Sequence, residues 1–245
     1  MAIITKGKRK SMVIRPSGRS TDYISPSFGV GCLFECSYCY MKRHHPVGLD
    51  IATNTEEILT AIDHHSWFAD SDVDKPNQTH EDYITYDISC NEDFALHAKY
   101  HEWQKIFDFF KNHDRAMGSF ATKYVNEKLL EYNPEGKIRI RFSLMPVQYA
   151  RIIEPNTSNI GDRIKAINDF IEAGYDVHIN FSPVIVHPGW LEKYKELFEL
   201  VDKHVQYKDV VKAEVIFLTH NEAKHKYNVQ HGLTGEELIW KPGLQ

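Results

Sequence analysis

The sequence predicts an α/β fold: an open, partial (β/α)6 barrel. Three observations predict it. Six strand-like segments alternate with helical ones, the pattern of parallel βα units. The helices have lengths suited to right-handed crossovers on one side of a curving sheet. The chemistry-bearing residues fall just after strands, where parallel sheets bind ligands. Six units are too few to close an eight-stranded barrel, so the sheet is expected to stay open.

The elements follow in order. "DYISPSF", before Gly29, reads as a short strand entering a glycine-bounded loop. "TEEILTAIDHH" reads as helix: Asn54 or Thr55 can cap it, Glu56 and Glu57 suit its first turn, and Ile58 and Ile62 repeat at i,i+4. The polar stretch from Ala69 to Asp82 reads as a surface insertion. "YITYDIS" (Tyr83–Ser89) is β-branched and aromatic, hence strand. The helix at Tyr100–His113 puts Trp103, Ile106, Phe107 and Phe110 on one stripe. "GSFAT" is a short strand ending at Lys123, and "YVNEKLLEY" a short helix. "KIRIRFSLMP" alternates Ile138, Ile140 and Phe142 against Lys137, Arg139 and Arg141, a strand signature. "GDRIKAINDFIEAG" is a strong helix, with Ile160, Ile164, Ile167 and Ile171 at helical spacing and Gly174 suited to the position after its C-cap. "YDVHINFSPVIV" is strand, "GWLEKYKELFELVDKH" helix and "DVVKAEVIFLT" strand.

The domain division expected from this pass is a basic N-terminal arm over residues 1–21, the partial barrel over 22–228 and a short C-terminal tail over 229–245. The net charge of -5 argues against a large basic surface that coats nucleic acid. The charge is uneven, however: Lys6, Lys8, Arg9, Lys10, Arg15 and Arg19 all precede the first acidic residue, Asp22. That arm is either solvated or a local phosphate-contacting segment. No apolar run approaches the roughly 20 residues that span a bilayer, and the N-terminus has no apolar core of signal-peptide length. No membrane association and a cytoplasmic location are expected.

Three of the chain's 4 cysteines, Cys32, Cys36 and Cys39, sit within "GCLFECSYCYMKRHHP". In a reducing compartment clustered cysteines are ligands or reactive thiols rather than disulfide partners. A four-iron cubane needs a ligand on each iron. A C-x3-C-x2-C loop supplies three and leaves one corner open. That spacing, with an aromatic (Tyr38) before the last cysteine, resembles the signature of radical S-adenosylmethionine (SAM) enzymes, in which SAM chelates the open iron. The alternative is a zinc-binding module without catalysis, built from the three cysteines with His44 or His45.

The run "SPSFGVGCLFECSYCYM" resembles the cluster loop of the spore photoproduct lyase family, radical SAM enzymes that repair a thymine–thymine photoproduct in UV-damaged DNA. The likeness continues through "SCNEDF", "FATKYVN", "RIRFSLMP", "IIEPNTSNIGDRIKAINDFIEAGYDV", "FSPVIVHPGWLEKYKELFE" and "VIFLTHNEAKHKY". It implies a [4Fe-4S] cluster on Cys32, Cys36 and Cys39, with SAM as co-substrate. It implies that Cys90 is the hydrogen-atom donor and that Tyr38 and Tyr40 relay the radical back to 5′-deoxyadenosine. By the same resemblance Lys123, Ser143 and Ser182 contact SAM. Asn91 and Glu92 stand near the SAM amine where the family often has small hydroxyl residues, and a carboxylate at Glu92 can pair with that amine. The implied partners are DNA containing thymine photoproducts and an external reductant such as flavodoxin or ferredoxin. The sequence offers little after the last strand beyond Trp240 and Lys241 to hold a flipped lesion. A radical SAM enzyme acting on another nucleobase, a peptide or a small metabolite is therefore a second reading.

Overall fold

The computed structural model describes residues 3–18, 20–69 and 79–243. Most of the expected surface insertion, and Arg19 of the basic arm, lie outside these residues. The strands are β1 (Ile4–Gly7), β2 (Arg15–Pro16), β3 (Tyr23–Ile24), β4 (Gly29–Gly31), β5 (Leu49–Ala52), β6 (Ile84–Asp87), β7 (Ala116–Thr122), β8 (Ile138–Leu144), β9 (Asp176–Val184) and β10 (Lys212–Phe217). The helices are α1 (Met41–His44), α2 (Thr55–Phe68), α3 (Phe94–His97), α4 (Trp103–Lys111), α5 (Val147–Ile153), α6 (Ile160–Glu172), α7 (Trp190–His204), α8 (Glu222–Gln230) and α9 (Glu236–Ile239).

The main sheet has seven strands in the order β10-β9-β8-β7-β6-β3-β2. β3, β6, β7, β8, β9 and β10 pair in parallel, and β2 adds an antiparallel edge. These are the six strands of the expected half-barrel. The third is longer than its "GSFAT" signal, because Ala116 and Met117 continue the pairing with β6. The segment read as "YVNEKLLEY" forms a 3-10 turn at Glu127–Glu131, opened by the Asn126 side chain accepting from the Lys128 N–H at 3.2 Å.

The centre of the sheet explains why charge is buried there. Every residue of β8 is buried. Phe142 packs edge-on against Phe170 of α6, at 5.4 Å between centroids. The intervening arginines point to the opposite face and pair with carboxylates on β9 and β6. Arg139 pairs with Asp176 at 2.7 Å and Arg141 with Asp87 at 2.9 Å. A buried guanidinium without such a partner would be costly. The end of α6 follows its sequence signal. Gly174 takes φ +91, its N–H donates to the Ile171 carbonyl and the Tyr175 N–H to the Phe170 carbonyl. A residue with a Cβ resists that left-handed conformation.

Two features were not legible beforehand. β1, β5 and β4 form a separate sheet in the order β1-β5-β4, which joins residues 4–7 to the strand leading directly into Cys32. At the other end α8 and α9 fold back over the cysteine loop. The Tyr227 hydroxyl donates to the Lys42 carbonyl at 2.7 Å, and Asn228 Nδ2 to the Ser37 carbonyl at 3.0 Å. Among the described residues no helix is long and apolar enough to cross a membrane.

Candidate active site

A cleft of about 600 Å³ opens at the C-terminal ends of the parallel strands, and all four cysteines line it. Its floor is the segment from Cys32 to Met41, which follows β4. Cys90 comes from the turn after β6, Lys123 from the end of β7 and Ser182 from β9. Loops after different strands thus deliver to one place residues that are far apart in sequence.

Cys32, Cys36 and Cys39 are free thiols. Burial, with Asp93 adding to it, pushes the Cys32 thiol up to about 12. Burial likewise raises Cys36 well above its usual value, with Glu154 contributing. Thiolates here therefore need a strongly positive neighbour, which a bound iron centre supplies. The donor spacing discriminates between centres. Thiolates around one zinc ion sit about 3.8 Å apart, given Zn–S bonds of about 2.3 Å. The three cysteine sulfurs are not gathered within 4.8 Å of one another. Three sulfurs on separate corners of a cubane need the wider spacing. His44 and His45, the alternative ligands, do not line the cleft. His44 packs against the Tyr40 ring, and His45 lies 3.6 Å from Asp50. The donor set fits a [4Fe-4S] cluster with one open corner and does not fit mononuclear zinc.

Tyr40 and Cys90 meet across the cleft. The Tyr40 hydroxyl lies 3.9 Å from Cys90 Sγ, donates to the Cys90 carbonyl and contacts Asn91 Oδ1 at 2.9 Å. Asn91 Nδ2 is anchored on Ser27 Oγ at 2.6 Å. Burial raises the pKa of the Tyr40 phenol, and Cys90 adds to the rise, so its O–H stays protonated. Arg15, carried by β2 from the basic arm, brings Nη2 to 4.0 Å from the same sulfur.

Tyr38 is placed differently. Its hydroxyl donates to Glu154, whose other oxygen binds Arg163 Nη1 at 3.0 Å. Lys123 stands over the Tyr38 ring, 5.7 Å from its centroid. Burial alone would lower the Lys123 pKa, but Glu154 and Cys36 raise it above the usual value, so the lysine is cationic in the cleft. The expected relay role thus has a neighbour in Cys90 for Tyr40, whereas the Tyr38 hydroxyl is directed at a buried carboxylate.

Two further expected site residues make contacts of their own. The Glu92 side chain is wholly buried, and its Oε2 accepts from His97 Nδ1 at 2.9 Å and His101 Nε2 at 2.8 Å. Although burial opposes ionisation, His101 and His97 hold its carboxyl below the usual range. One carboxylate oxygen is thus engaged by two histidines, while the buried Oε1 has no hydrogen-bond partner among the described residues and Glu92 itself lines the cleft. The residue next to Oε2 in space must be small. A Cβ on Gly29 would come 2.4 Å from Glu92 Oε2. Ser143 is buried and does not line the cleft, and its carbonyl accepts from Arg163 Nη1 at 2.8 Å. Ser182 does line it.

The model of the spore photoproduct lyase family matches residues 2–231. The chain belongs to the spore photoproduct lyase family. It is 30% identical over 200 residues to the spore photoproduct lyase of Bacillus subtilis (strain 168), covering 80% of this chain and 55% of that protein. With the Geobacillus sp. (strain Y412MC61) lyase it shares 26% over 205 residues, 82% of this chain and 57% of the relative. The chain thus spans little more than half the length of these curated relatives. Its fold is that of solved spore photoproduct lyases. A variant with bound AdoMet and dinucleoside spore photoproduct superposes with a TM-score of 0.83 at 20% identity, over 94% of this chain and 67% of the other. A complex with dinucleoside spore photoproduct gives 0.82 at 22%, with the same coverage.

Within this family member, four contributors escaped the sequence reading. Glu154 and Arg163 lie in the quoted "IIEPNTSNIGDRIK" stretch, yet nothing in it says that the two ends meet beneath Tyr38. His97 falls in a stretch with no expected element, and His101 at the start of the expected helix over Tyr100–His113.

Proposed function

We propose that this chain is a radical SAM lyase that splits the thymine–thymine spore photoproduct in DNA. The observation that carries the proposal is the shared cleft: the three cysteines of the C-x3-C-x2-C loop line it together with a fourth, Cys90, whose sulfur lies 3.9 Å from a tyrosyl hydroxyl. Cys32, Cys36 and Cys39 would hold the cluster, and Lys123 would offer a cation to the SAM carboxylate. Ser182 and Asn91 would line the rest of the SAM site. When bound, the cluster and SAM together supply a 5′-deoxyadenosyl radical that takes a hydrogen atom from the dihydrothymine ring.

The chain's own residues then direct the outcome. The substrate radical breaks its bridging carbon–carbon bond by β-scission, which leaves a thymine carbon radical. Cys90 gives that carbon its hydrogen atom: the S–H bond breaks, a C–H bond forms and a thiyl radical remains on sulfur. Tyr40 would then transfer its phenolic hydrogen atom to sulfur, which restores the thiol and leaves a tyrosyl radical that a hydrogen atom from 5′-deoxyadenosine would quench. The cleft holds donor and acceptor close and keeps water from quenching either. Arg15 and Lys224, both on the cleft wall, supply cations for the phosphate of the dinucleotide. This gives the basic arm a phosphate-contacting role. A small reductant such as flavodoxin or ferredoxin would feed the cluster, in a reducing cytoplasm where the thiols persist.

The test is anaerobic reconstitution with iron and sulfide, then dithionite, SAM and a dinucleotide photoproduct. Formation of 5′-deoxyadenosine with recovery of thymine is the expected result. 5′-Deoxyadenosine without thymine recovery would move the chemistry to another substrate. Zinc on the cysteines and no 5′-deoxyadenosine would end the enzyme reading.

A further inference from the structure

A second set of ligand-type side chains lies behind the cysteine loop, outside the cleft chemistry. His220 follows β10, His225 lies in α8, and Glu236 opens α9. His220 Nε2, His225 Nδ1 and a Glu236 carboxylate oxygen all lie within 4.8 Å of one another, the one such group of three among the described residues. We propose that His220, His225 and Glu236 form a binding site for a divalent transition-metal ion, best matched by zinc, that pins α8 and α9 onto the cysteine loop.

The donor chemistry comes first. Two imidazoles and one carboxylate are a zinc donor set, and three protein ligands leave a fourth position for water. Both nitrogens now face one oxygen, His220 Nε2 at 2.7 Å and His225 Nδ1 at 2.8 Å from Glu236 Oε1. Tetrahedral donors around zinc stand about 3.4 Å apart, given bonds of about 2.0–2.1 Å. The two N···O pairs therefore need to lengthen by roughly 0.6–0.7 Å, a side-chain adjustment. The ion would replace the protons that those two hydrogen bonds use.

The surroundings are those of a built site. The second carboxylate oxygen, Glu236 Oε2, accepts from Asn228 Nδ2 at 2.7 Å. Such partners orient metal-binding carboxylates. The indole of Trp240 stacks on His225 at 4.8 Å and 11°. The His220 side chain has no exposed surface and that of Glu236 only 11%. Burial keeps His220 neutral, the form that ligates. Arg43 and Lys224 oppose a cation here, since both act on His220. Glu236 is the one carboxylate of the set that offsets them, so its charge should matter more than either imidazole.

The placement gives the ion a role. Asn228 also donates to the Ser37 carbonyl at 3.0 Å, between Cys36 and Cys39, and Tyr227 donates to Lys42 just beyond. Fixing Glu236 and His225 fixes α8 and α9 over the loop that carries the cysteines.

The test uses the cluster-loaded full chain, equilibrated with zinc chloride and then dialysed against metal-free buffer. One retained zinc per chain, in addition to the iron, is expected. Glu236→Gln and His225→Ala should lose it, and Asn228→Ala should weaken zinc binding about 10- to 100-fold. A cobalt titration identifies the donors whatever the variants do. Ligand-field bands without sulfur-to-cobalt charge transfer support the site, whereas charge-transfer absorption places the metal on cysteine and overturns it. No retained zinc in the unaltered chain, or equal retention in both ligand variants with intact cluster absorbance, also overturns it. These readouts do not depend on lyase activity, so failure of one proposal leaves the other standing.

Discussion

Tyr38 and Tyr40 are two residues apart on one loop, yet their hydroxyls serve different neighbours. Tyr40 contacts Cys90 and Asn91, while Tyr38 is held by Glu154. Sequence spacing places both in the loop and cannot say which way either ring turns. The structure separates the predictions. Cys90→Ala should still open the lesion but yield wrongly quenched thymine products, seen by chromatography with mass detection, and clean thymine from that variant would sink the donor assignment. Tyr40→Phe should keep lesion cleavage while raising the SAM consumed per lesion, because the thiyl radical loses its return path. Unchanged SAM stoichiometry would remove Tyr40 from the relay. Glu154→Gln tests the other tyrosine's partner. It removes the carboxylate that balances Arg163 and Lys123, and breaking a buried pair in this way costs about 3–5 kcal/mol. A fall in Tm of roughly 10 °C is expected for a chain of this size, and a fall within a degree or two would show the network to be dispensable.

At the scale of elements, periodicity is legible where a side chain's partner is simply the core. The isoleucines of α6 and the glycine that ends it behave as the sequence says. The arginines of β8 do not yield to that reading, because alternation specifies their face but not that the face is closed. Asp176, at the start of β9, supplies one missing partner. Burial would raise its pKa, but the His178 hydrogen bond and the Arg139 guanidinium outweigh it and draw it to about 2 from the usual 3.8. A carboxyl depressed in the folded state adds stability above its unfolded value and loses it as pH falls through the folded one. Between pH 3.8 and about 2, therefore, the parent chain should lose stability faster than Asp176→Asn. At neutral pH the variant should be the less stable of the two. Urea midpoints at several pH values measure both, and parallel curves would refute the coupling.

Across the whole molecule, both ends of the chain converge on the cysteine loop. β1 pairs with β5, which in turn pairs with the strand that enters it, and α8 and α9 cover its far side. Residues 222–239, which straddle the expected boundary between barrel and tail at 228, are therefore part of the loop's support. Truncation after Thr219 should leave the half-barrel's circular dichroism near that of the full chain but lower the iron retained after reconstitution. Full iron retention would show the cover to be incidental. By itself the sequence determined the six βα units and the cysteine triad, because periodicity and ligand spacing are local properties that side-chain chemistry fixes over a few residues; Cys90 stood out only through the family resemblance. Only the tertiary structure decided that Glu92 serves two histidines, that Tyr40 rather than Tyr38 faces Cys90, and that three residues of the C-terminal segment gather behind the loop. Those contacts join residues from 5 to 50 positions apart across element boundaries, and their formation depends on how strands, helices and loops stack, which no local pattern encodes.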